Sequence, residues 1–205
     1  FIYEMLDKCF RTPMDTSDVL KIKKLTSALK NDNRELLIED FGAGSKKMGN
    51  QRKVKQLFKI SSSKGKFGRL FYQLSNYYSP SSILEFGTSL GIGTIHFSLG
   101  NPTGSITTIE GCKETHHIAN ENFQQVGTTN ITSICSTFQS YIDTKPTQKF
   151  DFLFIDGHHD GKAEGPEQRL RLAHEAADAR QRELAQGVWL SHSSGRLRAR
   201  IPRVG

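Results

Sequence analysis

Three carboxylates and a cluster of glycines are the residues whose types and spacing can do chemistry in this chain. Glu85 is followed by Gly87, Gly91 and Gly93, Glu110 comes 25 residues after Glu85, and Asp156 closes the run Asp151-Phe152-Leu153-Phe154-Ile155. Glycines between a strand and a helix let backbone approach a ligand closely, at the helix end that carries partial positive charge. The spacing Gly87-x-x-x-Gly91-x-Gly93 departs from the G-x-G-x-x-G turn that admits a pyrophosphate, which disfavours a nicotinamide-dependent dehydrogenase. Glu85 would repel a phosphate and suits a cationic or amino-bearing ligand. Glu110, at the end of the next apolar run, can accept hydrogen bonds from both hydroxyls of a ribose. Two acids and three glycines therefore fit an adenosine ligand with positive charge and no phosphate.

These residues need strands to hold them. The apolar runs are short, so strands are expected at 82–86, 105–110, 130–135 and 150–155, with helices at 92–99, 113–126 and 137–143. Such alternation implies right-handed crossovers and a parallel sheet covered by helices on both faces. Residues 1–79 read as a helical extension. Ser17-Asp18 caps a helix whose Val19, Leu20, Ile22, Leu25 and Leu29 share a face, Leu36-Leu37-Ile38 is strand-like, and amphipathic helices start near Val54 and Phe67.

The stretches Leu84-Glu85-Phe86-Gly87-Thr88-Ser89-Leu90-Gly91, Thr107-Thr108-Ile109-Glu110-Gly111 and Asp151 through His159 resemble the class I S-adenosylmethionine-dependent methyltransferases, closest to their O-methyltransferase-like branch. The resemblance covers about residues 80–160. It implies an α/β, Rossmann-like fold and S-adenosyl-L-methionine as cofactor. It also implies roles, position by position. Glu85, Gly87 and Gly91 would lie along the methionine part, with Thr88, Ser89 and Thr94 in the same loop and helix start. Glu110 would hold the ribose with Gly111 beside it, and Ser136, Thr137 and Phe138 would flank the adenine. Asp156 would sit by the sulfonium and the acceptor, as the candidate catalytic group with His158. Relatives often carry an acid near Ser136, and this chain has none there. Metal-dependent relatives carry a second acidic cluster after the fifth strand, where this chain has Leu190-Ser191-His192, so no metal is expected. The function implied is methyl transfer to an oxygen or nitrogen acceptor, most simply a small molecule. The alternative is a noncatalytic cofactor-binding remnant or a basic nucleic-acid-binding module.

Composition sets outer bounds. The 205 residues are 36% hydrophobic with a net charge of +7. Cys9, Cys112 and Cys135 are scattered without CxxC pairing, which reads as a reducing, cytoplasmic compartment. No run is long enough to span a membrane. Nine basic residues lie between Lys46 and Arg69, a solvated face or a nucleic-acid surface on which Phe67 and Tyr72 stack. Glu39 through Ser45 forms a second glycine turn with no acid-ended strand after it, read as a turn between helices or a lid. The domain reading is an extension over 1–79, a cofactor-binding core over 80–162 and an atypical tail over 163–205. That tail has 8 arginines and no lysine, after a body with 16 lysines and 4 arginines. It is read as foreign or frameshifted, with a short strand at 188–190, so the chain is expected to be a fragment whose C-terminal strands are missing or replaced.

Overall fold

The computed structural model describes residues 11–38, 50–60, 63–144, 148–156, 188–193 and 196–200, with Asn50 and the last two stretches described by backbone alone. Among the described residues the elements begin with helix α1 (Thr16–Asn31) and a pair of short antiparallel strands, β1 (Glu35–Ile38) and β2 (Asn50–Lys53). Helices α2 (Val54–Ile60) and α3 (Lys66–Tyr78) lead into β3 (Ser82–Phe86). Then α4 (Ile92–Gly100), β4 (Ser105–Glu110), α5 (Lys113–Val126), β5 (Ile131–Cys135), α6 (Phe138–Asp143) and β6 (Phe152–Ile155) alternate, before β7 (Val188–Ser193) and β8 (Arg196–Arg200).

The main sheet has the order β5-β4-β3-β6-β7-β8. Strands β5 through β7 run parallel and β8 is antiparallel to β7. The expected strand at 188–190 is longer, and residues 196–200 add an edge strand that the sequence reading did not include. Because β3 is flanked by β4 on one side and β6 on the other, the chain changes winding direction at β3. Crevices at the carboxyl ends of strands at such a point are where open parallel sheets place ligands.

Period-two alternation assigns the faces. Ile83, Ile106, Phe152 and Phe154 pack with Phe71 and Leu74 of α3 and Phe97 of α4. The rings of Phe71 and Phe97 stack 4.9 Å apart, and Phe71 meets Phe154 at 4.7 Å. Leu84, Phe86, Ile109, Leu153 and Ile155 face the other way, against Tyr141 of α6 and Phe150. Glu85, between Leu84 and Phe86, shares the α3–α4 face with Ile83.

The amino-terminal part is not purely helical, and it is built into the core. Leu25, Leu29, Leu36, Val54, Leu57 and Phe58 share one buried cluster with Leu90, Ile92, Ile95, Ile118 and Phe123. Burying such side chains contributes about 1.5–3 kcal/mol each. Polar ties reinforce the seam. The Tyr72 hydroxyl donates to Asp18 Oδ2 (3.3 Å), and Gln73 Nε2 donates to the Thr12 carbonyl (2.7 Å). Arg34 bridges Asp32 (2.8 Å) to Glu121 on α5 (2.7 Å). Two local readings shift. The cap of α1 is Asp15, which accepts from the Ser17 amide at 2.7 Å, because the carboxylate reaches the free first-turn donor. Leu20, expected on the apolar face, is 60% exposed.

Candidate functional site

Glu85 is the centre of the site. It is 1% exposed, so its carboxyl group has left water almost completely. Its Oε2 accepts from the hydroxyl of Thr94, in the first turn of α4, and from the hydroxyl of Thr108 on β4 at 2.7 Å. Strand register brings this about, because Thr108 lies directly opposite Glu85. The Thr108 oxygen is in turn 2.6 Å from that of Thr88. Burial pushes the Glu85 carboxyl up to about 8; the Thr94 and Thr108 hydroxyls pull it down, and the charges of Asp156 and Glu110 push it further up. At neutral pH it is therefore mainly the neutral acid. Both hydroxyls donate to Oε2, so the proton sits on Oε1, on the side of Gly93 and Ser63, where a Cβ built on Gly93 would lie 3.2 Å from Oε1 and 3.1 Å from Ser63 Oγ.

The glycine loop wraps over the ends of β3 and β4. The amides of Gly87 and Thr88 both donate to the Ile109 carbonyl, at 3.0 and 3.3 Å. Gly87 (φ 102°) and Gly91 (φ 75°) take up left-handed backbone, and Gly91 starts α4 by accepting the Ile95 amide. A Cβ on Gly91 would stand 2.5 Å from the Phe123 ring, so its missing side chain serves the packing of α5 against the loop. Ser89 is forced to φ 50°, and this turns its amide to Glu110 Oε2 at 2.8 Å. The Cys112 amide binds Oε1 of the same carboxylate at 2.9 Å. Glu110 is thus gripped from both sides, and each oxygen keeps one acceptor position that these amides do not use.

Asp156 follows β6. Its amide donates to the Phe86 carbonyl at 2.8 Å, which fixes it beside the end of β3, and the Ser63 hydroxyl reaches its Oδ2 at 3.4 Å. Glu85, Glu110 and Asp156 therefore stand at the carboxyl ends of three neighbouring strands.

The remaining expected residues are placed as follows. Thr88 and Thr94 are buried, and their hydroxyls are committed to Thr108 and Glu85, so any role of theirs runs through the acid. Gly111 lies half-buried between Glu110 and the start of α5. The Ser136 amide donates to the Glu110 carbonyl at 2.9 Å. Thr137 caps α6 by accepting the Ser140 amide at 3.1 Å. Phe138 packs on Phe86, ring centroids 5.1 Å apart. His158, His159 and the 39–45 glycine turn lie outside the described residues. Among the described residues no group of three or more His, Cys, Asp or Glu side chains comes together as a metal site, and no helix is long and apolar enough to cross a membrane.

Two contributors were not read from sequence, Thr108 and Ser63. Thr108 had a signal, since a threonine one register step from a strand-end acid can donate to it. Ser63 had none, because its neighbours Gly93 and Asp156 are distant in the chain. In the basic stretch, Tyr72 is buried with its hydroxyl on Asp18, and Phe67 packs partly into the core, so Tyr72 offers no open face for a base to stack on. Lys64 donates to the Phe58 and Lys59 carbonyls and closes the end of α2.

Comparison with known proteins bears on the family and the fold. A family described as a methyltransferase domain matches residues 84–192, more than half of the chain. No curated protein matches. Among solved structures, the cofactor-bound Rv0187 from MTB superposes with a TM-score of 0.58 at 17% identity, over 86% of this chain and 65% of that one. The Bacillus cereus O-methyltransferase in complex with SAH gives 0.56 at 16% identity, over 88% and 67%. TomG, the Streptomyces achromogenes O-methyltransferase of tomaymycin synthesis in complex with SAM, gives 0.57 at 16% identity, over 88% and 66%. The chain thus spans about two thirds of the length of these structures, and at such identities the likeness is one of fold. With the family match running from the glycine loop through β7, the chain belongs to the methyltransferase-domain family.

Proposed function

We propose that this chain carries the cofactor site of an S-adenosylmethionine-dependent methyltransferase acting on an oxygen or nitrogen acceptor of a small molecule. The observation that carries the reading is the trio Glu85, Glu110 and Asp156 around the left-handed Gly87–Gly91 loop, acidic throughout where a phosphate cofactor would need donors. The donor set fits the group. Glu110 keeps two open acceptor positions for a ribose diol. Asp156, and Glu85 once ionised, would offer anionic character to an amino-bearing, sulfonium-centred ligand.

The bound cofactor would supply an electrophilic methyl group. The chain's own residues bind and orient. Glu110, clamped by the Ser89 and Cys112 amides, presents acceptors at a fixed position. Beside a bound cation the ionised form of Glu85 would be favoured, and Glu85 would then release its Oε1 proton to solvent. Asp156, held by the Phe86 carbonyl and touched by Ser63, is placed to accept a proton from an acceptor hydroxyl or amine. Alignment of nucleophile, methyl and sulfur is the main source of acceleration for such a displacement.

Calorimetry of the folded chain with S-adenosylmethionine and S-adenosylhomocysteine tests the reading. Saturable binding of both is expected, weakened at least about tenfold in Glu110→Ala, which loses a charge-assisted acceptor pair. A folded sample that binds neither at millimolar concentration refutes it.

A further inference from the structure

On the other side of the Ser63–Gly65 turn lies a cleft of about 410 Å³, formed by the start of α1, the start of α3 and the middle of α4. Its size falls in the range of small-molecule sites, about 300–1,000 Å³. Met14, Val19 and Ile22 supply aliphatic wall, and Lys23 and Arg69 stand at its edge. Neither cation forms an ion pair with an acid among the described residues.

His96 lines the cleft while being only 3% exposed. Its Nδ1 lies 2.7 Å from the Ile92 carbonyl. A carbonyl can only accept, so Nδ1 carries the hydrogen. Burial lowers the imidazole's proton affinity, which keeps the ring neutral and leaves Nε2 as a bare acceptor. No donor among the described residues meets Nε2. The Cε1–Nε2 edge of the ring packs against Gly68, where a Cβ would stand 2.5 and 2.6 Å from those atoms. The cofactor site described above does not use His96. An acceptor that lines the cleft and meets no protein donor can take a hydrogen bond from a ligand hydroxyl.

We propose that this cleft is a second ligand site, for a medium-chain aliphatic hydroxycarboxylate. The hydroxyl donates to His96 Nε2, the chain lies along Met14, Val19 and Ile22, and the carboxylate meets Lys23 and Arg69. Among the described residues no aromatic ring other than the imidazole lines the cleft, which favours an aliphatic over an aryl ligand. The two cations set the sign of the ligand's charge. The site is independent of methyl transfer. Gly65 of its lining lies two residues from Ser63, whose hydroxyl reaches Asp156 at 3.4 Å.

The test is calorimetry of the full chain with ω-hydroxyoctanoate, octanoate and octanediol as probes, alongside the Cε1–H resonance of His96. Saturable binding of ω-hydroxyoctanoate is expected, with octanoate and octanediol each about tenfold weaker, for loss of one hydrogen bond or of the charge contact. Shortening the chain by two methylenes weakens binding about tenfold. The His96 resonance moves only with hydroxyl-bearing probes. The surface pair K23Q/R69Q weakens ω-hydroxyoctanoate about tenfold while the melting temperature stays unchanged. No saturable binding up to about 10 mM, equal affinity for octanoate, or an unchanged affinity in K23Q/R69Q overturns the proposal. Failure of S-adenosylmethionine to bind leaves it intact, so the two readings fail separately.

Discussion

Replacing Glu85 by Gln should flatten the dependence of stability on pH. The carboxyl titrates near 4.5 when the chain is unfolded and near 8 when folded. Between those values the folded state holds a proton that the unfolded chain has lost. Stability therefore falls as pH rises, by about 1.4 kcal/mol per unit. Over the whole window the ceiling is roughly 5 kcal/mol, and relaxation or water entry around the ionised group lowers it. Gln carries no titrating proton yet keeps the hydrogen bonds. Its oxygen takes the place of Oε2 and accepts from Thr94 and Thr108, while its amide points where the protonated Oε1 does. The difference between wild type and E85Q should shift against wild type by roughly 2–4 kcal/mol between pH 5 and pH 8. It should be level below about pH 4 and above about pH 9. Urea unfolding of both proteins at four pH values measures this, because contributions from other groups cancel in the difference. Parallel stability curves would refute the assignment of Glu85 as a buried neutral acid.

Gly91→Ala should cost about 2–4 kcal/mol, since it adds left-handed strain to a clash with the Phe123 ring 2.5 Å away. Phe123→Leu in that background should recover the clash but not the backbone strain, which a double-mutant cycle of urea midpoints resolves. Arg34→Ala should cost about 1 kcal/mol or less, because Arg34 is half exposed, although it joins Asp32 to Glu121. The Asp32 carboxyl is held below its ordinary 3.8, chiefly by the Arg34 hydrogen bond, so this contribution is present above that pH and disappears as acid protonates Asp32. Chemical denaturation at neutral pH, at high salt and in acid should show the difference shrinking in both of the latter.

The residues legible in sequence share a physical reason. Glu110 and Asp156 each stand at the end of a strand-like run and Glu85 one residue inside one, just before the glycines, and that pattern is local. The alternation of strands and helices from 82 to 155 is readable because the strands are short runs rich in Ile, Phe, Leu and Thr, set between helical stretches. What stayed hidden depends on register or on distant segments. Thr108 matters only because it stands opposite Glu85. Ser63 reaches Asp156 across 93 residues of sequence. Strand β2, Asn-Gln-Arg-Lys, has no apolar pattern and exists through its pairing with β1. Strand β8, Arg-Leu-Arg-Ala-Arg, does alternate with period two, and that signal could have found it inside the arginine-rich tail.

The grip on Glu110 has a further consequence, for the timing of order. A glutamate side chain has roughly 1.5–2 kcal/mol of rotamer freedom to lose. The Ser89 and Cys112 amides remove that freedom during folding, before any ligand is present. A ligand therefore meets immobile acceptors, and its binding carries less of an ordering cost from this residue. The same arrangement makes the position sensitive to length. Aspartate, one methylene shorter, cannot reach both amides from the same backbone, so Glu110→Asp would release Ser89 from its left-handed turn and loosen the start of α5 together.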